Sequence, residues 1–162
     1  MPEDNARLRQ LYQADQKDRE RPYDSPEAVK GLRGRDAARK AVVLELIRLD
    51  ELVTPLDRYH AAVILLHGGE PQDFLCAHRL ACLSAMAGHR PARWLSAATL
   101  DRFLMAVGLA QVYGTQFEYD QASGYYQLRL PLDDSRLLAS EKAFLDVPAI
   151  IERLTKLNAA RK

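Results

Sequence analysis

Six consecutive residues, Ala61–Leu66, are all apolar, and this run constrains the fold more than any other feature of the chain. Thr54 and Pro55 mark the start of a helix ahead of it, because threonine caps free backbone N–H groups and proline fits the first helical turn. Gly68 and Gly69 mark its end. A helix that is apolar on every side must be surrounded by other elements. The sequence therefore predicts a central helix inside a bundle.

Apolar periodicity and helix-ending glycines predict further helices over residues 1–20, 36–50, 72–87, 92–107, 133–145 and 148–160. Prolines and glycines concentrated in residues 21–34 predict a loop between the first helix and the rest. The segments QVYGTQFEY and GYYQLRL are rich in aromatic and β-branched residues, and the turn Asp120–Gly124 separates them. These patterns predict a mainly α (α+β) fold, a compact helical bundle of about five to seven helices with one β-hairpin near residues 111–130, as a single domain over residues 1–162.

Charge and composition exclude several classes of protein. The chain has 23 lysines and arginines against 22 acidic residues, so no overall positive charge attracts nucleic acid or an anionic membrane. No apolar run has the length of about 20 residues that a membrane-spanning helix needs. The start of the chain lacks the pattern of a signal peptide, and Cys76 and Cys82 fall on different sides of one predicted helix. We expect a cytoplasmic protein with reduced cysteines that binds neither nucleic acid nor membrane.

Asp101 is the most unusual charged residue in the predicted helices. On a helical wheel it falls beside Trp94, Ala97 and Met105, inside the apolar arc. An ionised carboxylate in apolar surroundings is strongly unfavourable unless it is paired or hydrogen-bonded. Two interpretations stay open: a structural group that forms an ion pair or anchors a loop, and a buried catalytic acid that faces a pocket.

His67 ends the central helix and is the second candidate catalytic residue. A histidine at this position either binds the free carbonyl groups of the helix end or acts as a general base. Asp15 and Arg19 extend the apolar face of the first helix, so they either form an i, i+4 ion pair or contact a ligand. Asp57 and His60 are spaced like two metal ligands, but no third ligand has a recognisable spacing. The sequence therefore predicts neither a metal nor a cofactor.

The segment Gln111–Gln116 concentrates polar groups where the predicted hairpin begins. Alternation along a strand would place Gln111, Tyr113 and Thr115 on one face, and Gly114 would allow a bulge or the close approach of a ligand. Amides and hydroxyls grouped in this way suit a polar ligand, and a purely structural hairpin edge is the alternative. The candidate ligand-binding residues are therefore Arg102, Gln111, Tyr113, Thr115, Gln116, Asp15 and Arg19.

The middle of the chain resembles an uncharacterised bacterial family, a domain of unknown function. That family is marked by a Gln-His pair, a later Asp-Arg pair and the signature Gly-x-x-Gln-x-Tyr-Gly-Thr-Gln. Asp101-Arg102 and Gly108–Gln116 match this pattern, and His67 matches with Leu66 in place of the glutamine. The resemblance covers roughly residues 7–135 and implies membership of the family without implying a reaction.

Three hypotheses for the function follow. The first is a small enzyme or small-molecule site between the central helices and the hairpin, where His67 and Asp101 transfer protons and the other candidates position a small polar molecule or peptide. The second is a helical interaction module with a protein partner, such as an adaptor or an immunity-type protein. It is favoured by a weak similarity of residues 77–102 to Sel1-type and tetratricopeptide repeats. The third is a regulatory binder that has the same pocket but performs no chemistry.

Overall fold

The structure is a computed structural model that describes residues 2–160. Three residues of the predicted domain lie outside the described residues: Met1, which also belongs to the predicted first helix, Arg161 and Lys162. The described part forms seven helices and one antiparallel hairpin, which confirms the predicted mainly α bundle. Within it, no helix combines the length and the apolar character that crossing a membrane requires. The elements in chain order are α1 (Ala6–Arg19), α2 (Pro26–Arg48), α3 (Pro55–Leu66), α4 (Pro71–Met86), α5 (Pro91–Ala106), β1 (Phe117–Asp120), β2 (Tyr125–Leu128), α6 (Ala139–Phe144) and α7 (Ile150–Ala159).

Helix α3 lies at the centre of the bundle, as the sequence predicts. Residues 61–65 are at most 7% exposed and form one core cluster with Leu8 of α1 and Val43 of α2. Each large aliphatic side chain buried here stabilises the fold by about 1.5–3 kcal/mol. The helix begins with a reciprocal cap, in which Asp57 N donates to the Thr54 hydroxyl at 3.0 Å and Thr54 N donates to the Asp57 carboxylate at 3.2 Å.

The predicted loop over residues 21–34 is wrong for most of its length, because α2 already begins at Pro26. Ser25 caps this helix, and its hydroxyl accepts a hydrogen bond from Ala28 N at 3.1 Å. Proline then fills the first helical position, which is the same start signal that sequence reasoning applied to α3. Gly34 continues the helix with open space beside it, so the glycines in this segment do not end the element.

The hairpin is shorter than predicted. Strands β1 and β2 pair in the register Phe117↔Leu128, whereas Gln111 makes only an isolated bridge to Leu132. Gly114 has a φ of +73°, a left-handed conformation that a strand cannot continue through. Backbone N–H groups around this glycine bind the Asp101 carboxylate instead of a neighbouring strand. The strand-like alternation expected for residues 111–116 is therefore absent.

The two C-terminal helices are also shorter than the predicted 133–145 and 148–160. Residues 133–138 are not helical, because Asp133 N donates to the Gln111 carbonyl at 2.9 Å and so ties this segment to the loop before β1. Helix α7 packs against β2, where the Asn158 side chain accepts from Tyr126 N at 2.7 Å and donates to Tyr126 O at 3.2 Å. The C-terminal segment thus closes over the hairpin.

Candidate functional site

Asp101 holds the loop between α5 and β1. Its side chain is fully buried, and its two oxygens accept four hydrogen bonds: from Val112 N at 2.7 Å, Tyr113 N at 3.0 Å, Thr115 N at 3.0 Å and the Thr115 hydroxyl at 2.8 Å. Charged acceptors with this many donors are stable in a buried position. Of the two interpretations of the sequence, the geometry matches the loop anchor. We therefore place Asp101 and Thr115 in the scaffold, and the catalytic role of Asp101 has no geometric support.

Gln111 and Tyr113 are also bonded within the fold. The fully buried Gln111 amide accepts from Gln116 N at 2.9 Å, and its Nε2 donates to the carbonyls of Gln116 and Arg129. The Tyr113 hydroxyl donates to Glu141 of α6. Burial, followed by this carboxylate, raises the pKa of Tyr113, so its hydroxyl stays protonated. These two side chains join the loop to β2 and to α6, and their polar groups have partners that a ligand would have to displace.

Arg102, the neighbour of Asp101, occupies a different environment. Its Nε donates to Gln116 Oε1 at 3.2 Å, and its Nη1 donates to the Leu66 carbonyl at 3.0 Å at the end of α3. The guanidinium carbon lies 5.8 Å from the centre of the Phe74 ring. Within residues 2–160, Arg102 forms no ion pair with a carboxylate. The cation is therefore held in place by neutral groups alone.

The electrostatic surroundings of Arg102 are unfavourable for a cation. Burial is the largest effect that lowers the pKa of Arg102 from its ordinary value, and the like charges of Arg129 and Arg19 lower it further. Arginine nevertheless stays protonated in proteins. The unfavourable surroundings therefore lower the stability of the fold and do not remove the charge of Arg102. A negatively charged group beside this guanidinium would remove most of that cost.

His67 is oriented by a buried carboxylate. Its Nδ1 lies 3.1 Å from Asp15 Oδ1, and the Asp15 side chain is fully buried while that of His67 is 21% exposed. Because a carboxylate accepts a hydrogen bond, Nδ1 carries the proton and the lone pair lies on Nε2. Among the described residues Nε2 has no hydrogen-bond partner, and it is not among their buried polar atoms. This nitrogen is therefore accessible to a ligand.

Asp15 belongs to an ion-pair network between α1 and α2. Arg19 Nη2 lies 3.3 Å from Asp15 Oδ1, so the predicted i, i+4 pair is confirmed, and 2.7 Å from Asp36 Oδ1. Arg39 Nη2 contacts the same Asp36 oxygen at 2.6 Å. The network fixes the carboxylate that orients His67. Asp15 thus lies behind the histidine, whereas Arg19 is paired with Asp15 and also lines the cleft next to His67.

The largest cleft in this region, here called the His67 cleft, has a volume of about 710 Å³. Its lining comes from α1 to α5 and from the turn between α3 and α4, and it includes the charged or polar residues Arg19, Arg33, Asp36, His67, Glu70 and Arg102, with Gly68 and Phe74. Small-molecule sites have volumes of this size, about 300–1,000 Å³. The structure therefore brings together three of the predicted site residues, His67, Arg102 and Arg19, with Asp15 behind them.

The turn at the edge of the cleft requires a glycine. A Cβ on Gly68 would overlap the Asp73 carboxylate. That carboxylate accepts hydrogen bonds from Lys40 Nζ at 2.8 Å and Glu70 N at 3.2 Å, so it cannot move freely. The missing side chain lets α4 begin next to His67 and places Phe74 in the lining.

Two smaller cavities share Arg102 with the His67 cleft. The Arg129 cavity, about 350 Å³, is lined by Phe74, Arg102, Met105, Gln116, Phe117 and Arg129, with Ala106. The Arg153 cavity, about 210 Å³, contains Arg102, Thr115, Gln116 and Arg153 in its lining. Sequence reasoning missed Arg33, Phe74, Arg129 and Arg153. Arg33 lies in the segment that the sequence predicted as a loop, and Arg129 and Arg153 reach the cavities only through the packing of the hairpin and α7, which the sequence did not predict.

No protein-family model, curated protein or solved structure matches the chain. Membership of the bacterial family inferred from the Asp-Arg pair and the Tyr-Gly-Thr-Gln signature therefore stays a prediction. In the structure, Thr115 binds the Asp101 carboxylate and Gln111 binds the carbonyl of Gln116, so these residues stabilise the same loop. Among the described residues, no three His, Cys, Asp or Glu side chains are grouped as a metal site requires.

Proposed function

We propose that the protein is a small cytoplasmic enzyme or small-molecule-binding protein whose ligand is an organic anion bound in the His67 cleft. Arg102 binds the negative charge, with Arg33 as a second cation in the lining, and His67 accepts or donates a proton at Nε2. The cytoplasmic location is part of the proposal and is supported by two free cysteines.

The observation that carries the proposal is Arg102 itself. This guanidinium is half-buried, is fixed by two hydrogen bonds to neutral groups, and has no carboxylate partner within residues 2–160. Folding normally places a counterion beside such a group, because an unpaired buried charge is strongly destabilising. An anionic ligand supplies the missing charge and can bind the planar guanidinium through two hydrogen bonds.

The arrangement of Asp15 and His67 supports acid–base chemistry at the same cleft. A carboxylate on Nδ1 fixes the imidazole ring and its tautomer, and it stabilises the imidazolium that forms when Nε2 takes a proton. The proposal differs from the sequence-based hypothesis at one point. His67 acts as the only proton-transfer residue, since both oxygens of Asp101 are already occupied.

Binding of inorganic phosphate, measured by isothermal titration calorimetry, tests the anion site. We expect Arg102→Gln to weaken phosphate binding about tenfold or more, because a charge-assisted pair is lost. Arg7→Gln removes the same charge from the far end of α1 and is expected to leave the affinity unchanged. Arg102→Lys, which keeps the charge but not the planar geometry, is expected to fall between the two, and circular dichroism checks that each variant is folded.

A second measurement separates the three hypotheses. His67→Ala should retain phosphate binding but lose turnover of chromogenic phosphate or carboxylate esters. Phosphate binding without turnover in the unmodified protein would favour the regulatory binder. Equal phosphate affinity in Arg102→Gln and Arg7→Gln would contradict the anion site and would favour the interaction module.

A further inference from the structure

The Arg129 cavity has the same type of lining as an anion site, next to the His67 cleft. Phe74 and Arg102 line both spaces, so the two lie on neighbouring sides of this pair of side chains. Phe74, Met105 and Phe117 contribute apolar side chains to the Arg129 cavity, whose lining surface is otherwise mostly polar and includes no acidic residue. Two arginines in a lining that also contains aromatic side chains suit a ligand that combines a negative charge with an apolar part.

Arg129 has no counterion of its own. It follows β2, its side chain is exposed, and it forms no ion pair within residues 2–160. Arg129 and Arg102 line the same cavity, and the like charge of Arg129 adds to the effect of burial, which is the main cause that lowers the pKa of Arg102. The Arg129 backbone is fixed, because its carbonyl accepts from the Gln111 amide and its N–H donates to Gln116 O at 3.1 Å.

Arg33 is a second exposed arginine without an ion pair within the described residues, and from α2 it lines the His67 cleft in the way that Arg129 lines its cavity. The chain as a whole has a net charge of only +1. The lining of the His67 cleft also contains Asp36, which is paired with Arg19 and Arg39, and Glu70. The three arginines that form no ion pair within residues 2–160 outnumber these acidic residues, so the charge around the two adjoining spaces is positive on balance.

We infer that the ligand is a small molecule with two anionic groups joined by an apolar middle. This inference rests on the proposed function. One anionic group lies in the His67 cleft near Arg33 and Arg102, the middle passes Phe74, and the second anionic group lies between Arg102 and Arg129. The cleft and the cavity, about 710 and 350 Å³, have room for a molecule of this kind.

Binding of alkane bisphosphonates and alkyl monophosphonates of matched chain length tests this inference. These probes are not hydrolysed, so isothermal titration calorimetry measures binding without chemistry. We expect one chain length at which the bisphosphonate binds about tenfold tighter than its monophosphonate, because the second group gains a charge-assisted contact with Arg129. Arg129→Gln should remove this gain, so it should weaken binding of the bisphosphonate much more than binding of the monophosphonate. Arg33→Gln should weaken both probes, and Arg7→Gln should affect neither.

The outcomes separate the inference from the proposed function. If monophosphonates bind in a way that depends on Arg102 but no bisphosphonate binds tighter, the second anionic group is wrong and the proposed function stands. A gain that survives in Arg129→Gln also overturns the inference, because the second group then binds elsewhere. If neither class of probe binds, the proposed function itself fails, and the inference fails with it.

Discussion

Two neighbouring residues, Asp101 and Arg102, have separate roles that follow from their positions on α5. Successive residues on a helix point about 100° apart. Asp101 therefore faces the loop that follows the helix, whereas Arg102 reaches the end of α3 and the cavities beside it. The sequence was sufficient to predict that Asp101 is buried, from its apolar neighbours on the helical wheel. It was not sufficient to predict the partners of Asp101, because backbone N–H donors have no sequence signature.

Asp101→Asn tests the role of this carboxylate. We expect the free energy of unfolding to fall by about 3 kcal/mol, because the new amide Nδ2 cannot accept the hydrogen bond of Thr115 N and leaves this buried group without a partner. Urea denaturation followed by circular dichroism measures the change.

The matched control is Asp4→Asn, which makes the same substitution at an exposed position ahead of α1 and should leave stability nearly unchanged. A fall for Asp101→Asn no larger than for Asp4→Asn would mean that the loop does not depend on the carboxylate. Loss of activity without loss of stability would instead return Asp101 to the catalytic role that the sequence suggested.

Among the elements, those with two independent signals were predicted best. Helix α3 has both a cap and an all-apolar run, and its predicted start and end agree with the structure. Helix α2 has the same Ser-Pro type of start, but Gly31 and Gly34 obscure it. Glycine has a low helix propensity, but the tertiary packing of a long helix can outweigh this preference. The segment 111–116 was misassigned because aromatic and β-branched residues favour strands, while tertiary bonds to Asp101 decide its conformation.

Gly34→Ala tests the length of α2. We expect unfolding to require about 1 kcal/mol more, because alanine favours the helix and no atom lies within 4 Å of the added Cβ. Thermal unfolding measures the change. Gly124→Ala serves as the contrasting variant, since its φ of +75° strains any side chain, and it should lower the melting temperature. A lower melting temperature for Gly34→Ala would contradict a helix at this position and would favour the loop that the sequence predicted over residues 21–34.

At the scale of the whole molecule, an ion-pair network joins α1 to α2. Asp18, 5% exposed, binds Arg35 at 2.9 Å and Arg39 at 2.9 Å. The hydrogen bond from Arg35 is the main cause that holds the pKa of Asp18 well below its ordinary value of 3.8, against the opposing effect of burial. Because the pKa of Asp18 is lower in the folded state, the ionised carboxylate stabilises the fold at pH values above the pKa that Asp18 has in the unfolded chain. That contribution is lost as the pH falls through the lower, folded value.

Asp18→Asn tests this source of acid sensitivity. We expect the variant to be less stable at neutral pH and to lose less further stability below about pH 4, because it has no carboxylate to protonate. Urea denaturation at a series of pH values measures both effects. Asp24→Asn, at an exposed position without an ion pair within residues 2–160, should keep the pH dependence of the unmodified protein. Parallel curves for Asp18→Asn and Asp24→Asn would show that acid unfolding starts at other groups.

The two hydrogen bonds of Arg102 connect parts of the chain that a ribosome delivers at different times. One goes to the Leu66 carbonyl, ahead of α4, and the other to Gln116, which follows α5. A nascent chain that ends between Arg102 and Gln116 already contains His67 and Asp15 but leaves the guanidinium without its second contact. If the His67 cleft binds an anion as proposed, the full affinity would therefore appear only once the segment after α5 has been synthesised.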